Sequence, residues 1–175
     1  MKRSSSLDRR KFLKATAAVA AGSAAGCRAN RTPWSFFTAE EARTLTAICE
    51  QIIPADQDPG AAWAGVVNYI DRQLNGHFQE LQPAYRDGIA AADRLAGGSF
   101  VSVPKERQLS ILQQMEKGQD TRPFFDLVVA HSMQGFYGSP RHGGNRDYVS
   151  WRMLAIPPSP VRGRDHYDFT TGGKS

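Results

Sequence analysis

The stretch Phe37-Thr38-Ala39-Glu40-Glu41-Ala42-Arg43-Thr44-Leu45-Thr46-Ala47-Ile48-Cys49-Glu50-Gln51-Ile52-Ile53-Pro54 carries the start, body and stop signals of one complete helix. Thr38 with Glu41 three residues later makes a capping box, in which each side chain takes a backbone N–H that the first turn leaves over. Leu45, Ile48, Cys49 and Ile52 then recur at helical spacing until Pro54, which cannot continue the ladder. An apolar stripe of this kind is stable in water only when it is covered, so the rest of the chain has to supply covering faces.

Working outward, Asp56-Gln57-Asp58-Pro59-Gly60 reads as a turn-rich loop. A second helix is expected over 61–74, with Ala62, Val66, Ile70 and Leu74 on one face and Gly76 closing it. A third is expected over 83–96 with Tyr85, Ile89, Ala92 and Leu95, ending at Gly97-Gly98. Pro104 opens a fourth that contains Leu109, Leu112 and Met115 and ends near Gly118, and Pro123 opens a fifth from Phe124 to about Tyr137. Ser99 to Val103 reads as a short extended piece, and no stretch shows sustained alternation. The fold class is therefore all-α, a small bundle of about five helices followed by an irregular, Gly/Pro-rich C-terminal arm. In that arm Pro157-Pro158-Ser159-Pro160 is extended by necessity, and the part carrying Tyr148 and Trp151 is open to two readings, an intersubunit strap or a wrap on its own helices.

With 175 residues, 41% apolar and 22% charged, the chain has room for one modest core and the composition of a globular protein. The formal charge of +5 is local: Lys2, Arg3, Arg9, Arg10, Lys11 and Lys14 face only Asp8 within residues 1–26, and the remainder is neutral. A global attraction to phosphate is absent, so nucleic acid is not an expected partner. Residues 1–26 read as an export signal, a basic start followed by an Ala-rich run too short and too weakly apolar to span a bilayer. Asp8-Arg9-Arg10-Lys11-Phe12-Leu13-Lys14 resembles the twin-arginine signature, with Arg9, Arg10, Phe12, Leu13 and Lys14 as its recognition residues. That route carries cargo already folded. Ala24-Ala25-Gly26-Cys27 resembles a lipoprotein cleavage box, although leucine is usual where Ala24 stands; either Cys27 is lipidated or cleavage occurs nearby and leaves it a plain residue. Domain limits follow as signal 1–26, linker 27–37, helical domain 38–157 and irregular tail 158–175.

The residues themselves offer no active site. There is no phosphate-binding glycine loop, no nucleophile elbow and no cysteine with a histidine placed to activate it. Cys27 and Cys49 lack the spacing for zinc, an iron–sulfur cluster or c-type haem; a Cys27–Cys49 disulfide is chemically allowed, but Cys49 on an apolar helical face is the better fit to a core. His77, His131, His142 and His166 lie in separate segments and read as surface, capping or packing residues. Asp56 and Asp58 are accounted for by turn chemistry, and Met133, Phe136 and Tyr137 read as a core stripe. Gly143-Gly144-Asn145-Arg146-Asp147 with Trp151 is the candidate docking element: a glycine turn, an asparagine to stabilise it, two charges able to pair across an interface, and an aromatic anchor.

Two separated motifs carry a resemblance. Phe37 to Ala42, Ile52-Ile53-Pro54-Ala55-Asp56, Pro59-Gly60-Ala61, Ala64-Gly65-Val66 and Tyr69-Ile70-Asp71-Arg72-Gln73-Leu74, closed by Gly135-Phe136-Tyr137, Gly143-Gly144-Asn145-Arg146-Asp147 and Trp151-Arg152-Met153, resemble the gluconate 2-dehydrogenase subunit 3 family over about 37–157. His142 stands where a tyrosine is expected, and Ala155-Ile156-Pro157-Pro158 replaces the usual Gly-Phe-Pro-Gly. The resemblance implies a non-catalytic small subunit binding no cofactor of its own. Its partners would be a large FAD subunit of the glucose-methanol-choline type, a cytochrome c subunit carrying haem c, and the twin-arginine translocase during export, which places the chain in the periplasm at the membrane. Two other readings stand beside it: a stand-alone periplasmic lipoprotein serving as a structural or binding module, and an enzyme with its site in the 139–147 loop.

Overall fold

The computed structural model describes residues 33–157. The export signal with Arg9, Arg10, Phe12, Leu13 and Lys14, the candidate lipidation residue Cys27, His166 and the tail 158–175 lie outside the described residues. Within them every regular element is helical, with no strand: α1 (Ala39–Ile52), α2 (Ala61–Ala64), α3 (Val66–Leu74), α4 (Gln82–Ala96), α5 (Lys105–Lys117), α6 (Arg122–Tyr137) and α7 (Val149–Met153). The five longest fall where the five helices are expected from the sequence, α3 covering only the second part of the one expected over 61–74.

Helix α1 is the hub, packing against α2, α3, α4, α5 and α6. Its capping box forms as read: Glu41 N–H donates to Thr38 Oγ1 at 3.1 Å and Thr38 N–H to Glu41 Oε2 at 2.8 Å. Leu45, Ile48 and Cys49 are fully buried, and Ser132 donates to Cys49 Sγ at 3.4 Å. Burial pushes the Cys49 thiol up to about 12, so it is an inert core residue. Helix α4 meets α6 where Gly88 lies against the Phe124 ring with no room for a Cβ.

Several boundaries and faces differ from expectation, each for a local reason. The helix expected over 61–74 is two helices, because Gly65 at φ 73° and ψ 31° closes α2 and opens α3. That break turns Ala62 outward and buries Ala61 and Ala64 instead. Residues 100–102 form a 3₁₀ turn rather than an extended piece. On α5 the buried face is Gln108, Ile111, Leu112 and Met115, and Leu109 is exposed. A glutamine takes the inner position because its amide donates to the carbonyls of Phe100 at 3.2 Å and Val103 at 3.1 Å, which the 3₁₀ turn leaves unpaired. Phe136 is core, but Met133 and Tyr137 of the expected stripe are exposed, and α6 turns Val128, His131 and Ser132 inward.

The segment read as linker ends inside the domain. Phe37 is buried, Trp34 and Phe36 pack on the core, and the backbone between them is held by one side chain. Asp71 of α3, itself buried, accepts N–H bonds from Ser35 at 2.8 Å, Phe36 at 2.9 Å and Phe37 at 3.1 Å. The carboxylate does for this stretch what a neighbouring strand would do in a sheet.

His131 is a packing histidine. Its ring is stacked between Phe78 and Tyr85, with centroid distances of 5.1 and 5.9 Å, and its Nδ1 lies 2.8 Å from the Tyr85 hydroxyl. Burial lowers its pKa from 6.5, so the unfolded chain takes the proton before the folded one does. The stability this contributes is present above about pH 6.5 and is lost as pH falls toward the lower folded value. The wild-type urea midpoint is expected to drop more between pH 7.5 and pH 5 than that of His131→Phe. Parallel pH dependence in the two proteins would remove His131 as the cause.

Candidate functional site

After α6 the chain reverses through two 3₁₀ turns, Pro140–His142 and Arg146–Tyr148, into α7, which packs back on α6. The first half of the arm is thus wrapped on its own domain. Four of the six positions from 143 to 148 have positive φ: Gly143 at 106°, Asn145 at 46°, Asp147 at 49° and Tyr148 at 56°. Only the first is a glycine. A tyrosine in the left-handed region is uncommon and costs on the order of 1 kcal/mol or more, and such strain persists where the surroundings over-determine it.

What holds the turn is Asn145. Its side chain is fully buried; Nδ2 donates to the Gly138 carbonyl at 2.8 Å, and Oδ1 accepts from Ser150 N–H at 3.0 Å. Gly144 is buried on the backbone of Gly135 in α6. The Ser150 hydroxyl, buried in the first turn of α7, has no hydrogen-bond partner among the described residues, a second cost carried at this place. Of the docking candidates, then, Gly144 and Asn145 act inside the turn, while Arg146 and Asp147 are exposed. Trp151 is half-buried: its Nε1 donates to the Tyr137 carbonyl at 2.7 Å and its ring lies 5.5 Å from that of Tyr148.

The turn gathers residues distant in sequence that the motif search passed over. The Arg146 guanidinium lies 5.7 Å from the centre of the exposed Trp63 ring. The Arg72 side chain runs along Gly143, and its Nη1 reaches the Arg141 carbonyl at 3.5 Å. Arg141 Nε donates to His142 Nε2 at 3.0 Å. Tyr69, against Gly135, donates to Gln134 at 2.9 Å, and partial burial raises its pKa. Trp63, Tyr137, Trp151 and the guanidiniums of Arg72, Arg141 and Arg146 thus all lie in or against the turn and the helices it joins. A lone tryptophan between alanines in an amphipathic run is the sequence signal by which Trp63 could have been found.

A second concavity, a groove of about 660 Å³, runs along the outer side of α1 between Trp34, Ala47, Pro54, Val101 and Val103. That size lies in the range of small-molecule sites. Among the described residues no group of three or more His, Cys, Asp or Glu could hold a metal ion, and no helix is long and apolar enough to cross a membrane.

The family model described as gluconate 2-dehydrogenase subunit 3 matches residues 39–158, from the first residue of α1 to just past the α7 turn. Comparison with curated proteins finds no match, and comparison with solved structures finds none either.

Proposed function

The chain belongs to the gluconate 2-dehydrogenase subunit 3 family, and from that premise we propose that it is the non-catalytic small subunit of a periplasmic, membrane-associated, FAD-dependent dehydrogenase complex. The large subunit in this reading is a glucose-methanol-choline-type flavoprotein acting on a sugar, sugar acid or polyol. The small subunit escorts it through twin-arginine export and stabilises it afterwards. The observation that carries the reading is the family match from residue 39 to residue 158, across every helix described. The strained, aromatic and arginine-lined turn supports it, because a surface organised at a cost to the isolated chain suits recognition by another chain. FAD and haem c belong to the partner subunits. The cysteine and histidine placements of this chain fit neither c-type haem attachment nor a metal site.

The α1 groove favours a second reading, a binding module that works alone. One experiment separates the two. With Arg9→Lys and Arg10→Lys together, both this subunit and a flavoprotein lacking its own signal are expected to remain in the cytoplasm, and periplasmic dehydrogenase activity is expected to fall to background. Normal periplasmic activity in that double variant would end the escort role and leave the binding module.

A further inference from the structure

Resting on the accessory-subunit reading, we infer that the Arg72–Arg141–Arg146 patch around the 143–148 turn is the docking surface for a carboxylate-bearing face of the flavoprotein partner. Residues 33–157 carry eleven Lys and Arg against fourteen Asp and Glu, so the domain as a whole is acidic. Its charge is not evenly spread. Arg72, Arg141, Arg146 and Arg152 lie in or against the turn and α7, where Asp147 is the one acid among described residues 138–157; Asp71, next to Arg72, is buried and faces the other way, toward residues 35–37. The domain's ion pairs are elsewhere, at Glu40–Arg43, Glu41–Arg86 and Arg122–Asp126. Among the described residues these four arginines have no carboxylate within pairing distance. Their guanidiniums are the positive pole of a negative body, and the complement of that pole is acidic.

The surroundings select a protein over other anions. Guanidiniums set beside Trp63, Tyr137 and Trp151 combine planar, bidentate carboxylate recognition with the residue types that dominate interface energies. Anionic lipid or nucleic acid gains no global attraction, because residues 27–175 carry equal numbers of basic and acidic side chains. The turn is pinned by the Asn145 and Gly144 contacts, so the arginines are presented without ordering a loop on binding, which lowers the entropic cost of association.

The test uses the full chain, tagged and co-expressed with the flavoprotein, and reads flavin absorbance per mole of purified subunit. Arg141→Glu/Arg146→Glu is expected to lower flavin retention by about tenfold or more, since like charges placed across an interface repel and rim charges govern association and salt dependence. Arg107→Glu/Lys117→Glu on α5 is expected to retain flavin as wild type does, and wild-type retention is expected to fall as salt rises. The circular-dichroism melt of the variant confirms folding, and Arg141→Gln/Arg146→Gln, which only neutralises, is expected to fall between the two. Wild-type flavin retention in both arginine variants overturns the docking surface and leaves the accessory role standing. No flavin with the wild-type subunit overturns both. Flotation of the subunit with phosphatidylglycerol vesicles, lost in the arginine variant while flavin is kept, would reassign the patch to lipid and so overturn the proposal.

Discussion

Asp71→Ala is expected to remove roughly 3 to 5 kcal/mol of folding free energy, because three N–H groups lose a charged acceptor and the one at Phe37 is buried beyond the reach of water. In a domain of this size about 1 kcal/mol moves the melting midpoint by several degrees, so a drop of more than about 10 °C should be measured by circular dichroism. The damage begins locally. Without the clamp, residues 35–37 lose their tie to α3, and the Phe37 ring, whose centroid is 6.0 Å from that of Tyr85, is held only by its packing. Amide exchange at Phe36 and Phe37 should therefore accelerate before the helices open. Asp71→Asn is expected to cost about half as much, since one oxygen can still accept from Phe36 and Phe37 while its amide group confronts the Ser35 N–H. A midpoint for Asp71→Ala close to wild type would show that the three contacts are not what holds this segment.

Neither that clamp nor the Trp63 and Arg72 side of the proposed docking surface could be read from the sequence, although the helices and the 143–151 element could. Helix α1 is written locally: its cap lies within four residues and its apolar positions repeat every turn, so Thr38, Glu41, Leu45, Ile48 and Cys49 fell where periodicity put them. Errors arose where a distant contact outweighs the local pattern. Gln108 is buried in place of Leu109 because two carbonyls of a neighbouring turn need its amide. Met133 and Tyr137 have the right spacing for a core stripe, yet α6 is rotated so that His131 and Ser132 meet α4 and α1. In the candidate site, Gly143-Gly144-Asn145 was legible as a turn from residue type alone. The partners of that turn were not: Trp63 and Arg72 are supplied by α2 and α3, about 70 to 80 residues earlier, and only folding brings them together.

The two glycines of that turn serve different needs, and their substitutions should separate them. Gly143 has φ 106°, which a side chain tolerates poorly, so Gly143→Ala costs about 1 to 3 kcal/mol in backbone strain. Gly144 has no such backbone need; its requirement is space. A Cβ there would overlap the Gly135 carbonyl oxygen, 2.8 Å from the carbonyl carbon and 3.1 Å from Cα, atoms inside a helix that cannot yield. Nor can α6 retreat easily at that point, because Gly135 is itself pressed on Tyr69. The turn must lift instead, and lifting strains the Asn145 bonds to Gly138 and Ser150 that hold it. Overpacking of about 1 to 3 kcal/mol together with two weakened hydrogen bonds of about 1 kcal/mol each gives roughly 3 to 5 kcal/mol for Gly144→Ala. The same displacement carries Arg146 off the Trp63 ring, so loss of flavoprotein from the purified complex is expected along with a lower melting midpoint. A wild-type midpoint with the flavoprotein lost would mean that Gly144 leaves room for the partner's backbone. A wild-type midpoint with the flavoprotein kept would show that the turn has space the Gly135 contact denies, and the seat on α6 would have to be abandoned as the source of its rigidity.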